Sequence, residues 1–500
     1  MKSKVSKKKI KDKPRCACGI FGTFDNPSAS ILTYYGLHAL QHRGQEASGI
    51  VTCEYHEEKK RSRFNVVKDM GLVTDVFRDY NILREQLKGT AAIGHNRYST
   101  TGSANNEKNI QPLTVNYRNG NLAIAHNGNL TNFHTIRKEL QDDGTIFQTT
   151  SDTEVLLHLI ARSKQKNQID QIREALDRVD GAFSLLILTD TMLIAARDVH
   201  GFRPLSLGKK DGSYVVASET CAFDIIDAKY VRDVEPGEIL VIDQRADSKE
   251  QLHSFRINRK AEESHHCIFE YIYFSRPDSF IFGDSVDKVR RKLGKSLSQE
   301  APVHPDDDEK TIVISVPDSS NTAALGYVTE SLKQGIKTKF ELGLIRNHYV
   351  GRTFIQPEQG MREMKVKTKF NTVKGVLRGK KIVVVDDSIV RGTTSKQLVK
   401  LLKEAHPKEI HFRITSPPIV NSCYYGMDFP NREELIAVKC GEDVEKIRQE
   451  LGVDSIHFLS MKKMLDSVPK TEHKNYCTAC FGGSYPVPIE NVVDKNELEI

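Results

Sequence analysis

The stretch 380–398, KKIVVVDDSIVRGTTSKQL, decides the fold of the second half of the chain. Its β-branched run, Ile382 to Val385, reads as a strand buried on both faces. Asp386 and Asp387 end that strand, a tight loop carries Ser388 to Thr394, and TTSKQLVKLLKEA (393–405) continues as a helix. The same rhythm runs outward on both sides. SVDKVRRKLGKSL (285–297) is helical, TIVISV (311–316) is a strand, TAALGYVTESLKQG (322–335) is helical, and KEIHFRITS (408–416) returns as a strand. Such alternation predicts a parallel sheet with helices on both faces.

Ligands of these sheets bind at the carboxyl ends of the strands, where Asp386 and Asp387 stand. Backbone N–H groups at a helix start suit a phosphate, with Gly392 allowing close approach and the Thr393 and Thr394 hydroxyls adding donors. The two acids suit sugar hydroxyls or a Mg2+ on a pyrophosphate. A bare acidic pair would be an ordinary solvated strand end. The full order, strand, Asp-Asp-Ser, three residues, Gly-Thr-Thr, is similar to the phosphoribosyl pyrophosphate loop of type I phosphoribosyltransferases. The resemblance gives that ligand Asp386, Asp387, Ser388, Arg391, Gly392, Thr393 and Thr394.

The first half reads differently. Short β-type runs such as GIFGTF (19–24), LAIAHNG (122–128), FSLLIL (183–188) and EILVID (238–243) outnumber the helices, which predicts stacked antiparallel sheets flanked by helices. Ser151 and Glu154 fit a capping box before the apolar helix VLLHLIAR (155–162). Residues 244–266 are polar and patternless, and the domain boundary is placed there. The expected division is a leader at 1–17, one domain over 18–255, a second over 256–486, and a tail at 487–500.

Charge narrows the function. Of 73 Lys and Arg against 66 Asp and Glu, eight basic residues and one acid fall in residues 1–17, which is the whole excess of +7. The remainder balances at 65 of each sign, so no surface that would track nucleic acid is expected. No run approaches the ~18 apolar residues of a membrane helix, and the Lys-rich start lacks the apolar core of a signal peptide. Nine cysteines in 500 residues do not resemble a disulfide scaffold. The chain reads as cytoplasmic and reduced.

CGIFG (18–22), LQHRGQEASGI (40–50), GHNRYSTTG (94–102), AHNGNL (125–130) and SDTE (151–154) are each weak signals. In this order they resemble the glutaminase domain of N-terminal-nucleophile amidotransferases. The resemblance makes Cys18 the nucleophile and assigns Cys16 to a leader. The chemistry agrees, because a free α-amino group with a pKa of about 7.7–8.0 is a base that only an N-terminal residue carries beside its own thiol. Removal of the leader after Ala17 is therefore expected. By resemblance, Arg97 binds the α-carboxylate of glutamine as a bidentate fork. Asp152 holds its α-ammonium, and Asn127 with the N–H of Gly128 forms an oxyanion hole. Singly, Arg97 would read as a surface ion pair and Asp152 as a first-turn helix acid.

Together the two halves resemble the glutamine phosphoribosylpyrophosphate amidotransferase family from Cys18 to about Pro486. HGFRPLSLG (200–208), FEYIYFSRPDS (269–279) and VPDSSNTAALGY (316–327) add to the likeness. So does RNHYVGRTFIQP (346–357), which in the family is a mobile loop that closes over the substrate, here with Tyr349 and Arg352. The usual Lys-Asn-Arg-Tyr start is replaced by Arg346 and His348, which keeps positive charge at the first position and weakens it at the second. Ser319 matches a third family Mg2+ contact beside Asp386 and Asp387. The family implies synthesis of 5-phosphoribosylamine, the first committed step of purine synthesis. It also implies a homotetramer and feedback by AMP- and GMP-type purine nucleotides.

NYCTACFGG (475–483) supplies Cys477 and Cys480, while Cys267 and Cys423 lie far off in SHHCIFEY and NSCYYGMD. Spacing alone allows buried free thiols or a four-thiolate zinc site. The Fe–S-containing branch of the family places cysteines in these four contexts, which implies a 4Fe–4S cluster stapling the domain junction to the C-terminal tail. Cys53, Cys221 and Cys440 read as packing residues. Two rivals are a glutamine-dependent sugar-phosphate aminotransferase and a catalytically dead sensor of phosphoribosyl pyrophosphate. The Asp-Asp loop counts against the first and the complete glutaminase set against the second.

Overall fold

Two-residue alternation builds the first half. In the strand Gly19–Phe24, Ile20 and Phe24 pack to one side and Phe21 to the other, as strand geometry requires. The computed structural model describes residues 18–56, 61–98, 106–243, 251–306, 309–347, 370–470 and 474–489. Gly19–Phe24 lies at the centre of a seven-stranded antiparallel sheet, flanked by Ser213–Ala217 and Ala91–Arg97. A six-stranded antiparallel sheet, with Gly120–Leu130, Gly181–Thr189 and Met192–Arg197 at its middle, stacks on the first. Ile20, Ile93 and Val216 of one sheet meet Leu186, Leu188 and Leu240 of the other in a single core. The outer faces take helices. Leu37 of Ala29–Ala39 covers Phe21 and Ile50, and Ile136, Leu156 and Ile172 of three helices cover Leu185 and Ile187. The stacked-sheet expectation is met, as four layers.

One segment read as patternless is structured. Leu252–Arg256 is the edge strand of the six-stranded sheet, paired antiparallel with Glu238–Asp243. An edge strand with no fully buried residue needs no apolar alternation, so the sequence carries no period there.

The second half holds the expected parallel sheet. Its order is Thr338–Phe340, Thr311–Ser315, Lys381–Asp386, Glu409–Ile414 and Ser455–Phe458. Lys381–Asp386 is central, so both of its faces are covered. Val383 and Val385 pack with Leu293, Leu297 and Tyr327 of the helices Val286–Glu300 and Asn321–Lys333. Ile382 and Val384 pack with Leu398, Leu402 and Ile447 of Thr393–Lys403 and Val444–Leu451. No helix among the described residues is long and apolar enough to cross a membrane.

Candidate active sites

Cys18 sits buried at the head of the strand Gly19–Phe24. The amide N–H of Tyr98 donates to its Sγ at 3.4 Å, and the thiol donates to the Tyr98 carbonyl at 3.3 Å. Gly19 is paired with Asn96, which sets the thiol beside the end of Ala91–Arg97 and the buried Arg97. Burial pushes the thiol up to about 11, against the pull of the Tyr98 hydrogen bond and the Arg97 charge. Such a thiol is protonated at neutral pH and requires a base. Cys16 and the rest of the leader lie outside the described residues.

The other glutaminase residues converge from the second sheet and the helix beside it. Asn127 in Gly120–Leu130 is fully buried, and neither its Nδ2 nor its Oδ1 has a hydrogen-bond partner. Buried polar groups are rarely left without a protein partner, a water or a ligand. A Cβ at Gly128 would lie 2.0 Å from the Ala182 carbonyl oxygen, so only glycine fits. Asp152 accepts from the Leu130 amide at 2.9 Å and from Thr153 Oγ1 at 3.2 Å, and lies 3.7 Å from His126 Nδ1. Burial opposes its charge, yet His126 and these donors hold the carboxyl below its ordinary range. The Asp152 charge also acts on the Cys18 thiol. The expected capping box does not form. Glu154 turns back to accept from the amides of Gln148 and Thr149 and from the Thr149 hydroxyl, because that preceding loop offers three donors.

At the end of the central parallel strand, Asp386 and Asp387 are buried among hydroxyls. Ser319 Oγ donates to Asp387 Oδ2 at 2.5 Å, Ser388 Oγ to Asp387 Oδ1 at 2.6 Å, and Ser320 Oγ to Asp386 Oδ1 at 3.3 Å. This all-oxygen set suits a hard cation such as Mg2+. Gly392, at φ +77°, caps the helix Thr393–Lys403, whose first turn presents Thr393 and Thr394. Arg391 donates from Nε to Glu434 at 3.0 Å. Tyr349 and Arg352 lie outside the described residues, as does His348, while Arg346 pairs with Asp318 at 2.8 Å.

The four thiols meet in space. Ser264–Cys267 and Lys474–Cys477 form a two-stranded parallel sheet that puts Cys267 opposite Cys477. Cys267, Cys423, Cys477 and Cys480 line one cavity, walled by Phe202 and Tyr425. Burial pushes the Cys267 thiol up to about 11 and raises Cys477 and Cys480 as well. Among the described residues, no three Cys, His or acidic side chains stand close enough to hold a single ion.

Several residues escaped the sequence reading although they lie in the quoted motifs. Arg43 of LQHRGQEASGI is wholly buried and donates from Nε to the Cys18 carbonyl at 3.2 Å. Its other nitrogens reach Glu219 and Glu270, and Arg203 of HGFRPLSLG also donates to Glu270. Tyr98 donates its hydroxyl to Asp428 at 3.2 Å, joining the two halves beside Cys18. Only burial distinguishes these charges from surface pairs, and sequence does not display it.

Known proteins resemble the chain over nearly its whole length. Residues 95–224 match a family described as a glutamine amidotransferase domain. A chloroplastic amidophosphoribosyltransferase of Vigna aconitifolia is 49% identical over 96% of this chain and 93% of its own length. The Bacillus subtilis amidophosphoribosyltransferase is 48% identical over 94% of each. A solved structure described as the allosteric regulatory enzyme of purine biosynthesis superposes with a TM-score of 0.87 at 46% identity, covering 96% of this chain and 99% of that one. The B. subtilis glutamine phosphoribosylpyrophosphate amidotransferase, solved with ADP and GMP, gives 0.85 at 46% identity over 96% of this chain and all of its own. The chain belongs to the amidophosphoribosyltransferase family.

Proposed function

We propose that this chain hydrolyses glutamine at Cys18 and delivers the ammonia internally to 5-phosphoribosyl 1-pyrophosphate, forming 5-phosphoribosylamine, glutamate and pyrophosphate. The observation that carries the reading is one chain holding a buried thiol with Arg97 and Asp152 close enough to act on it, a buried Asn127 whose side chain has no partner and, separately, an Asp-Asp strand end ringed by serines. The mature chain begins at Cys18, whose freed amine takes the thiol proton as sulfur attacks the amide carbon. Asn127 Nδ2 and the Gly128 N–H receive the developing oxyanion, while Arg97 and Asp152 hold the α-carboxylate and α-ammonium of glutamine. The amine returns the proton to the departing ammonia, and water then releases glutamate from the thioester.

In the second half, ammonia attacks the anomeric carbon as its bond to pyrophosphate breaks. Ser388, Gly392, Thr393 and Thr394 seat the phosphates at the helix start, with Arg391 on the same loop, and the loop bearing Tyr349 and Arg352 covers them. Asp386, Asp387 and Ser319 would hold Mg2+, which neutralises the leaving pyrophosphate. Cys267, Cys423, Cys477 and Cys480 would hold a 4Fe–4S cluster as a structural staple. The soft donor set around one cavity supports that choice. The same reading assigns a cytoplasmic homotetramer inhibited by purine nucleotides. Incubation with glutamine, phosphoribosyl pyrophosphate and Mg2+ should release glutamate and pyrophosphate in equal amounts. Glutamate without pyrophosphate, in the presence of all three, would defeat the proposal.

A further inference from the structure

The nucleophile's own carbonyl is the end of a buried charge network that crosses the two halves. Arg43 Nε donates to the Cys18 carbonyl, Arg43 Nη1 to Glu219 at 2.5 Å and Glu270 at 2.9 Å, and Arg43 Nη2 to Glu270 at 2.7 Å. Arg203 donates from Nη1 to the same Glu270 carboxylate at 3.1 Å and from Nη2 to the Tyr425 carbonyl at 2.7 Å. The side chains of Arg43, Arg203, Glu219 and Glu270 are wholly without solvent exposure. Two guanidiniums and two carboxylates balance, and burial leaves these four charges without water to screen them. The partly exposed His42 also meets Glu219 at 2.7 Å, Ser279 and the Arg276 amide donate to Glu219, and Cys267 and Cys423 act on Arg203.

The halves contribute unequally. Arg43, Arg203 and Glu219 come from the glutaminase half, whereas Glu270 follows Cys267 into the second half. Its position is fixed from that side. Ser275 Oγ donates to Glu270 Oε2 at 2.7 Å, and the backbone of this segment is gripped by Arg290 of Val286–Glu300. Arg290 donates to the carbonyls of Tyr271 and Ser275 at 2.7 and 2.8 Å. Strand pairing of the nucleophilic strand begins only at Gly19, so a chain starting at Cys18 relies on Arg43 to hold its first carbonyl.

We propose that Glu270, supplied by the phosphoribosyl half, is a positioning residue for glutamine hydrolysis: it orients Arg43 and thereby fixes the terminal Cys18, so the glutaminase centre is complete only when the second half is docked. The inference rests on Cys18 acting as the terminal nucleophile. Replacing Glu270 with a neutral isostere leaves two buried guanidiniums facing one carboxylate, and the uncompensated positive charge lies against the residue that bears the catalytic amine. A nearby cation disfavours the protonated amine. The loss should therefore appear both as misplacement of Cys18 and as a changed pH dependence.

The test uses the full processed enzyme and Glu270→Gln. Glutamine-dependent kcat should fall by roughly 100-fold, the scale of a small misplacement of a reacting group. The acid limb of its pH profile should move to lower pH, and ammonia-dependent synthesis should stay at the wild-type rate. The double variant Arg203→Gln/Glu270→Gln restores charge balance and should return the acid limb toward its wild-type position. Full glutamine turnover with an unmoved limb in Glu270→Gln overturns the proposal, as does equal loss of both activities in folded protein. Should that variant fail to fold, Glu270→Asp decides. It keeps the charge but withdraws it by one methylene, and unchanged glutamine turnover there would also overturn it. A wild-type enzyme that releases no glutamate from glutamine would instead refute the reading of Cys18 itself.

Discussion

Cys267 and Cys477 face one another across two parallel strands more than two hundred residues apart in sequence, the first at the domain junction and the second near the C-terminus. This pairing, with Cys423 and Cys480 on the same cavity, sets the first prediction. Protein purified without oxygen should be brown and carry about four irons and four sulfides per chain. Cys477→Ser should lose colour and iron and unfold at lower denaturant, because the strand pair Ser264–Cys267 and Lys474–Cys477 loses its covalent tie. A colourless, active protein with one zinc per chain would establish the other metal.

Asn127 offers a cleaner test of catalysis than most active-site residues. Its side-chain N and O have no partners to lose, so Asn127→Ala should not weaken the fold. Loss of one oxyanion donor should lower glutamine-dependent kcat by about 100–1,000-fold. Ammonia-dependent synthesis should be untouched. Ordinary glutamine turnover in this variant would remove Asn127 from the oxyanion hole.

The sequence made the parallel sheet and the Asp-Asp loop legible because a central strand must be apolar on both faces, and the unbroken run Ile382 to Val385 within Lys381–Asp386 is hard to mistake. The order of the glutaminase motifs was equally plain. Leu252–Arg256 was invisible, since an exposed edge strand imposes no alternation. Arg43 and Glu270 were in view but mute: a sequence shows charge, not burial, and the two acids that meet Arg43 lie 176 and 227 residues from it. Glu154 misled through a local pattern that a nearby loop outcompeted.

Acid should destabilise the protein through three buried carboxyls. Burial raises the cost of charge at Asp152, Glu219 and Glu270, but His126 for the first, His42 and Arg43 for the second, and Arg43 and Arg203 for the third hold all of them below their ordinary range. In the unfolded chain they titrate near about 3.9–4.3. As pH falls below that, the unfolded state binds protons the folded state refuses, so stability present at higher pH is progressively lost. The urea midpoint should be steady near neutrality and fall steeply below about pH 4. Glu219→Gln should lower the midpoint at neutral pH and flatten the acid limb. An equally steep limb in that variant would exclude Glu219 from the effect.

Cys18→Ala should separate the two half-reactions. In the proposed mechanism the thiol serves only to form the glutamyl thioester, and the site at Asp386 and Asp387 accepts ammonia from any source. Glutamine-dependent synthesis should vanish, while synthesis with high ammonium at alkaline pH, where free NH3 is abundant, should persist. The expected leader removal complicates the comparison, because the substitution also takes away the thiol on which cleavage would depend. A chain begun at position 18 with Ala, after removal of the initiating methionine, controls for this. Arg43 donates to the backbone carbonyl of residue 18, a partner that Ala keeps. If this variant consumes glutamine, Cys18 is not the nucleophile. If it stays folded yet loses ammonia-dependent synthesis as well, the phosphoribosyl site depends on the thiol, and the independence of the two chemistries is refuted.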